Sequence, residues 1–586
     1  MKYLLFIFYF SAALTYSYEV IYTDPVKGAA MVRTENSITI GFSHAPAVKT
    51  YDLEGYIIVS GSISGRHNGR IVFKEDNKKI IFLPYEPFSY NEKVTVKFSG
   101  ELSKYVTKGS KLYDFSFFTS SKNIVYDPLK GLERETGKSI QYPVIQDPVM
   151  FFPPPVLNVT INNSPAEGSL FFGPFSASSY ITILNNNGSS NWFQQRSTVG
   201  FDFKKQKNGN LTFFADNPPR FIEMNSSYDT IHTYKCGNGY ATDVHELQIL
   251  SNGNAFLMAY DPQPVDMSQI VPGGRSDATV IGLIIQEIDQ NNNVLFQWRS
   301  WDHMQITDAT REDLTDSLID YIHGNAIELD YDNNILISSR HIDEITKINR
   351  STGNIIWRLG GKNNMFTMYN DTIRFSHQHD IRRLANGNIT LFDNGNFRFP
   401  EYSRAVEYSL DETNFTATLV WQFQREPQVV SSWGGNAQRL ENGNTFISWG
   451  GASNTVTEVK PDGTIVFEAS YIPGIYTYRG FKSSWPHVPT AIEPVNNSAG
   501  TFSLMQNYPN PFNPVTKISF NLEKAGNTSL ILYNITGEEV KTYSNGYLGM
   551  GFHTLTVNGS ELASGVYIYK LVSGSNSAVG KMVLIK

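Results

Sequence analysis

The chain has 586 residues, with 48 Lys or Arg against 55 Asp or Glu and a formal net charge of −7. That balance gives no basic field for nucleic acid, so no nucleic-acid partner is expected, and the length predicts about three or four domains. Abundant Phe (38) and Tyr (32), with Gly and Asn recurring between short apolar runs, predict an all-β protein rich in tight turns.

Residues 1–17 place one Lys ahead of an apolar run and then small residues, the pattern of a secretory signal peptide. The run is short for a membrane span. Between 18 and 120, alternating apolar runs at 37–42, 55–59, 70–73, 79–82, 93–98 and 114–118 predict a small Ig-like β-sandwich. His44 and His67 fall there in turn-like contexts and read as surface residues. Residues 121–155 contain Asp127-Pro, Asp147-Pro and a Pro triplet at 153–155, which reads as an extended linker because proline removes backbone donors. The single cysteine, Cys236, excludes an intrachain disulfide and reads as a small buried hydrophobe.

From 156 to 490 the chain repeats itself loosely. An apolar residue, a spacer, Asn-Gly-Asn and a second strand occur at 250–257, 384–391 and 440–447, with weaker copies at 208–210 and 331–334. Asn-Gly supplies the positive φ angles of a two-residue hairpin turn, so each copy predicts a hairpin. A second strand-turn-strand unit ending in an aromatic residue lies at 288–298, 348–357 and 459–467. Two hairpins per unit make a four-stranded blade, and the spacing predicts about six blades of a β-propeller. A parallel β-helix would show shorter and more regular repeats. Residues 500–586 return to strand-like runs and predict a small C-terminal β-sandwich.

That last segment resembles the type A sorting domain of the type IX secretion system of Bacteroidota. The run Gln506-Asn507-Tyr508-Pro509-Asn510-Pro511-Phe512 and the run Ala563-Ser564-Gly565-Val566-Tyr567 carry the resemblance. It implies the type IX secretion machinery as a partner, and an extracellular or outer-membrane surface location.

Four of the eleven histidines, His323, His341, His377 and His379, fall within residues 321–394, each beside a strand-like run. Such a pattern fits a site assembled from several strand ends. On a strand, His377 and His379 would share a face and could chelate a metal, although no acidic cluster accompanies them. His341 follows Arg340 and, on a strand, would face away from it. Gly360-Gly361-Lys362 lacks the spaced first glycine and the helix of a phosphate loop. Trp298, Trp357, Trp421 and Trp433 read either as packing or as an aromatic pocket.

The middle region is similar to the bacterial arylsulfate sulfotransferases. The similarity rests on Asp243-Val-His245-Glu-Leu, His323-Gly-Asn325-Ala-Ile, the run 335–340 ending in Arg340, the runs 345–350 and 356–361, and Gln378-His379-Asp380. It implies transfer of a sulfuryl group from a phenolic sulfate donor to a phenolic acceptor through a sulfated histidine, with no nucleotide, metal or other cofactor. It makes His379 the nucleophile and leaves His245, His323, Asn325 and Arg340 to hold sulfate oxygens and handle protons, with His377 as a neighbour. A neutral imidazole is a competent nucleophile near pH 7, and Arg340 offers a planar fork for anionic oxygens. Two other readings stay open: a non-catalytic surface-displayed propeller that binds a ligand, and an aryl sulfate hydrolase on the same scaffold. A homodimer is compatible with each.

Overall fold

Short apolar runs that end at Gly, Asn or Pro satisfy their backbone by pairing with neighbours rather than by helix. A computed structural model describes residues 19–46, 57–74, 78–99, 114–136, 154–176, 179–196, 199–452, 455–485, 502–507, 510–548 and 551–586. Among them the fold is all-β, with one α-helix, Pro128–Thr136. The expected signal peptide lies outside the described residues.

The N-terminal strands form a sandwich of two four-stranded sheets. One has the order Val20–Asp24, Ile38–Phe42, Lys79–Pro84, Gly69–Lys74; the other has Gly65–His67, Ile57–Gly61, Lys93–Phe98, Phe115–Phe118. Alternation along Lys93–Phe98 turns Val94, Val96 and Phe98 inward onto Ile40, Ile80 and Phe117. His67 is not a surface residue. Strand Gly65–His67 alternates it inward, where its ring lies 4.6 Å from Phe88 and Nε2 lies 2.6 Å from Ser64 Oγ.

Residues 158–483 fold into six sheets of four or five strands. Their innermost strands are, in chain order, Lys204–Lys205, Thr242–Ile249, Gly324–Leu329, His379–Arg383, Asn436–Arg439 and Gly480–Ser483. Apolar clusters fill the gap between each sheet and the next, for example Phe256 and Trp298 against Ile327 and Ile337. The sixth cluster joins Phe446 and Phe467 to Leu170 and Phe172, so the last sheet meets the first and the ring closes. Two strands from opposite ends of the region lock it. Gly480–Ser483 pairs with Ser169–Phe172 of the first sheet, and Asn158–Asn162 pairs with Ile465–Ser470 of the sixth. Each buried Phe, Leu or Ile contributes about 1.5–3 kcal/mol, so stability is spread over six interfaces.

The Asn-Gly-Asn copies are hairpins, with a different turn from the one expected. Leu250 N donates to Asn254 O and Gly253 N to Leu250 O, which encloses a three-residue loop with only Gly253 at positive φ (82°). The final Asn of each triplet donates its amide to a Glu on a nearby strand: Asn210 to Glu223, Asn254 to Glu287, Asn388 to Glu407 and Asn444 to Glu458, each at 2.6–2.7 Å. The described part of residues 121–155 also departs from an extended linker, because Asp127-Pro128 starts a helix. Proline loses nothing in the first turn, and Asp127 Oδ1 accepts from Leu129 N (3.1 Å) and Lys130 N (3.3 Å).

The sandwich docks on the third propeller sheet through buried polar bonds. Tyr22 OH donates to Gln297 O and accepts from Gln297 N, both at 2.8 Å, and Arg33 pairs with Asp261 at 3.1 Å. Residues 487–586 form a separate compact unit of two sheets around Phe520, Leu530, Tyr569 and Met582. There Asn507 N donates to Tyr569 OH (3.0 Å) and Val583 N to Asn510 Oδ1 (2.7 Å), which pins the asparagines of the sorting motif to the sheets. Tyr508 and Pro509 of that motif lie outside the described residues.

Candidate functional site

Inner strands begin at one end of the ring, and the predicted residues gather at those beginnings. His245 lies on Thr242–Ile249, Asn325 on Gly324–Leu329 with His323 just ahead of it, and His379 opens His379–Arg383. Arg340 follows Ile335–Ser339, and its backbone N–H donates to His323 O at 2.8 Å, which holds the two residues side by side. All five are buried. The His245 and His323 rings are 5.1 Å apart, and Tyr478 bridges to the other side, 5.4 Å from His245 and 6.0 Å from His379. Asn325 donates its amide to Gln378 O at 2.8 Å, tying the fourth sheet to the residue before His379.

Each of the three histidines is backed at Nδ1, by different groups. His245 Nδ1 meets Asp243 Oδ1, and His323 Nδ1 meets Asp320 Oδ2 at 2.8 Å. His379 Nδ1 instead meets the amide oxygen of Asn394 at 2.8 Å. Burial alone would raise the Asp320 carboxyl, yet the charge and hydrogen bond of His323, with His341 beside it, hold it down at about 2. A carboxylate partner favours the protonated ring more than a neutral amide does.

Two residues set aside by sequence belong to the cluster. His341 was expected to face away from Arg340, but the strand ends at Ser339 and the alternation does not reach it. Arg340 instead donates from its guanidinium to His341 Nε2 at 2.7 Å, and His341 Nδ1 donates to Asp320 O at 2.6 Å. Burial pushes His341 down to about 3, so it sits neutral beside the guanidinium. His377 likewise precedes its strand, with φ of 52°, and the shared face expected for His377 and His379 does not follow. Its ring lies 5.7 Å from His341, and burial, with the Arg340 charge nearby, pushes its basicity far down. His323, Asp343, His377 and Asp380 all hold positive φ, a cost tolerated where backbone is bent to aim side chains. Asn325 Oδ1, Arg340 Nε and His377 Nε2 are buried with no protein partner among the described residues.

A buried ionic layer lies behind the cluster. Arg479 bonds Asp202 (3.2 Å) and Glu246 (3.0 Å) and donates to the carbonyls of His245 (3.3 Å) and Asn325 (2.7 Å). It thereby fixes two site strands to the closing one. Arg382 adds bonds to Glu246 (2.7 Å) and Asp380 (2.6 Å). Such a layer adds little net stability, but losing one member leaves buried charge exposed to its partners at about 3–5 kcal/mol. Sequence reading missed Arg479 and Tyr478, which sit outside any repeat, and Asn394, which opens an Asn-Gly-Asn triplet at 394–396 that is not a hairpin turn. Of the tryptophans, Trp433 lies beside the site through its neighbour Gly434, while Trp298 and Trp357 are buried packing.

Two groups have ligand atoms close enough to share a cation: Asp320, His323 and His341, and Asp330, Asp332 and Glu412. Lys347 Nζ already sits 2.7–2.9 Å from all three carboxylates of the second. In the first, the hydrogen bonds of Arg340, His341 and Asp320 occupy the ring nitrogens of His341.

Fold and site together define an all-β propeller with a histidine- and arginine-lined centre at one end. Residues 205–472 match the arylsulfotransferase (ASST) family model, residues 506–586 the secretion system C-terminal sorting domain and 15–119 a bacterial Ig-like domain. The chain is 25% identical over 346 residues to the arylsulfate sulfotransferases of Escherichia coli O6:H1 and of Lelliottia amnigena, a match covering 45% of this chain and 56% of each relative. It thus spans about half the length of the curated relatives it matches. A protein of unknown function from Bacteroides caccae is a distant structural neighbour, 13% identical with a TM-score of 0.35, covering 54% of this chain and 99% of its own.

Proposed function

We propose that the protein is an exported aryl-sulfate sulfotransferase that moves a sulfuryl group from a phenolic sulfate to a phenol through sulfated His379. The observation that carries this is the convergence of His245, His323, Asn325, Arg340 and His379 from three neighbouring sheets onto one buried centre. A His379 nitrogen attacks sulfur, the S–O bond to the aryl group breaks, and its electron pair leaves on the phenolate oxygen. A carboxylate-backed histidine, His323 or His245, gives that oxygen its proton and recovers a proton from the incoming phenol. The acceptor oxygen then takes sulfur from His379, and the nitrogen regains its lone pair. Arg340 and Asn325 hold the equatorial oxygens, where charge gathers in transfer at sulfur as at phosphorus. His341 and His377, both kept neutral, add no charge to that of Arg340, which stays positive throughout the transfer.

The sorting segment supports delivery by the type IX machinery to the cell surface or medium, after export by the N-terminal leader. The reading is tested with purified protein, a chromogenic aryl sulfate and added phenol. Release of the chromophore that needs acceptor, survives chelator and disappears in His379→Ala supports the transferase. Release without acceptor supports hydrolysis; no release from folded protein supports the ligand-binding module. A sulfuryl adduct found by mass spectrometry on any residue but His379 would overturn the assignment.

A further inference from the structure

His379 is oriented by a neutral network. Asn394 Oδ1 lies 2.8 Å from His379 Nδ1, and the amide nitrogen donates to Ser431 O and Gly434 O, both at 3.0 Å. Two carbonyls on the nitrogen side fix which end of the amide faces the ring, because an oxygen there would be repelled. The frame is itself held: Ser403 Oγ donates to Asn394 O at 2.7 Å and accepts from Ser431 N at 2.8 Å. Across the ring, Gly434 N–H donates to His379 Nε2 at 3.3 Å. An acceptor at Nδ1 and a donor at Nε2 admit one neutral tautomer, with the proton on Nδ1 and the lone pair on Nε2, which the long Gly434 contact must release as that nitrogen attacks sulfur. Asn394 and His379 are both fully buried, so water does not compete for either nitrogen through the Asn394 side.

We infer that Asn394 is a positioning residue that selects this tautomer and so makes Nε2 the nitrogen that takes the sulfuryl group. The inference rests on His379 being the residue sulfated. The amide also suits the second half of the reaction. Once Nε2 bonds sulfur, the ring carries Nδ1–H and a positive charge that makes it a good leaving group. A carboxylate at Nδ1 would stabilise that cation and hold sulfur back, whereas an amide does not. Asp243 and Asp320 stand at the histidines whose task is to hold a proton. The carboxylate nearest His379 in sequence, Asp380, is engaged by Arg382 at 2.6 Å, and the facing ring from the closing strand is the Tyr478 phenol, which leaves the Nδ1 side to the amide.

NMR of the full protein with isotope-labelled histidine reads the tautomer directly, without any activity. The expected result is His379 protonated at Nδ1 at neutral pH in the wild type, and a mixture of tautomers in Asn394→Leu, which has similar size and no amide. With p-nitrophenyl sulfate and phenol, Asn394→Leu is expected to lower kcat by about 10²–10⁴-fold, the range seen when a catalytic histidine loses its orienting partner. KM should move less than about twofold, since Asn394 touches no substrate. A wild-type ring protonated at Nε2 overturns the inference, as does an Asn394→Leu variant with unchanged tautomer and kcat. Should wild-type protein transfer no sulfuryl group, the transfer reading fails, while the NMR result still decides what Asn394 does to the ring.

Discussion

Strand Ile389–Asp393 carries an Asn-Gly-Asn triplet at each end, and the two do opposite work. At 386–388 the triplet makes a hairpin: Gly387 takes positive φ, and Asn386 and Asn388 both donate to Glu407. At 394–396 the same three residues face the site: Asn394 backs His379, and Asn396 donates to Ser432 O and lies 3.3 Å from His377 Nδ1. In the first the amides tie the turn to Glu407 on the next strand of the same sheet. In the second the amides serve histidines on other strands. A triplet alone therefore says nothing of role; its position relative to the inner strand decides.

The contrast can be broken at either end, and the largest effects belong to the site. His379→Ala is expected to reduce turnover at least about 10³-fold with an unchanged melting temperature, measured by chromophore release and calorimetry. Arg340→Lys keeps the charge and loses the planar fork, with an expected loss of about 10²-fold in kcat. At the hairpin the signs reverse. A Cβ at Gly387 meets nothing within 4 Å, so Gly387→Ala costs only the left-handed strain, about 1–2 kcal/mol of stability by denaturant titration, and leaves kcat unchanged. The smallest effect lies at the sandwich–propeller seam, away from both triplets. Burial raises the Asp24 carboxyl from 3.8 to about 7, partly offset by Arg299. Its contribution is thus present below pH 3.8 and lost as pH rises through 7. Melting should fall by a few °C between about pH 4 and 7, and Asp24→Asn should flatten that slope.

Much of this was legible in sequence because it is local. Six apolar runs in the N-terminal hundred residues are strands, since alternation is enforced within each run. The Gly of each Asn-Gly-Asn was legible for the same reason, although the loop holds three residues and only Gly carries positive φ. The residues taken from the family resemblance, His245, His323, Asn325, Arg340 and His379, come from three neighbouring sheets. Their partners did not show, because Tyr478 and Arg479 act across sheets with no fixed spacing, and Asn394 meets His379 from the end of the neighbouring strand, fifteen residues on. His341 and His377 were misjudged for a specific reason: both lie just off a strand end, where the backbone turns to positive φ or a bend and period-two reasoning stops.

The closing strand has a consequence for how the buried centre is held together. Tyr478 and Arg479 stand immediately before Gly480–Ser483, the last propeller strand in the chain and the one that completes the first sheet. A chain still lacking that strand has neither a shut ring nor the guanidinium that joins the carbonyls of His245 and Asn325. A chain ended before Tyr478 is therefore expected to leave those two strands unjoined, an outcome read by faster hydrogen exchange at His245 and Asn325. A bound transition-state mimic should then protect the closing strand from hydrogen exchange as strongly as it protects the histidines.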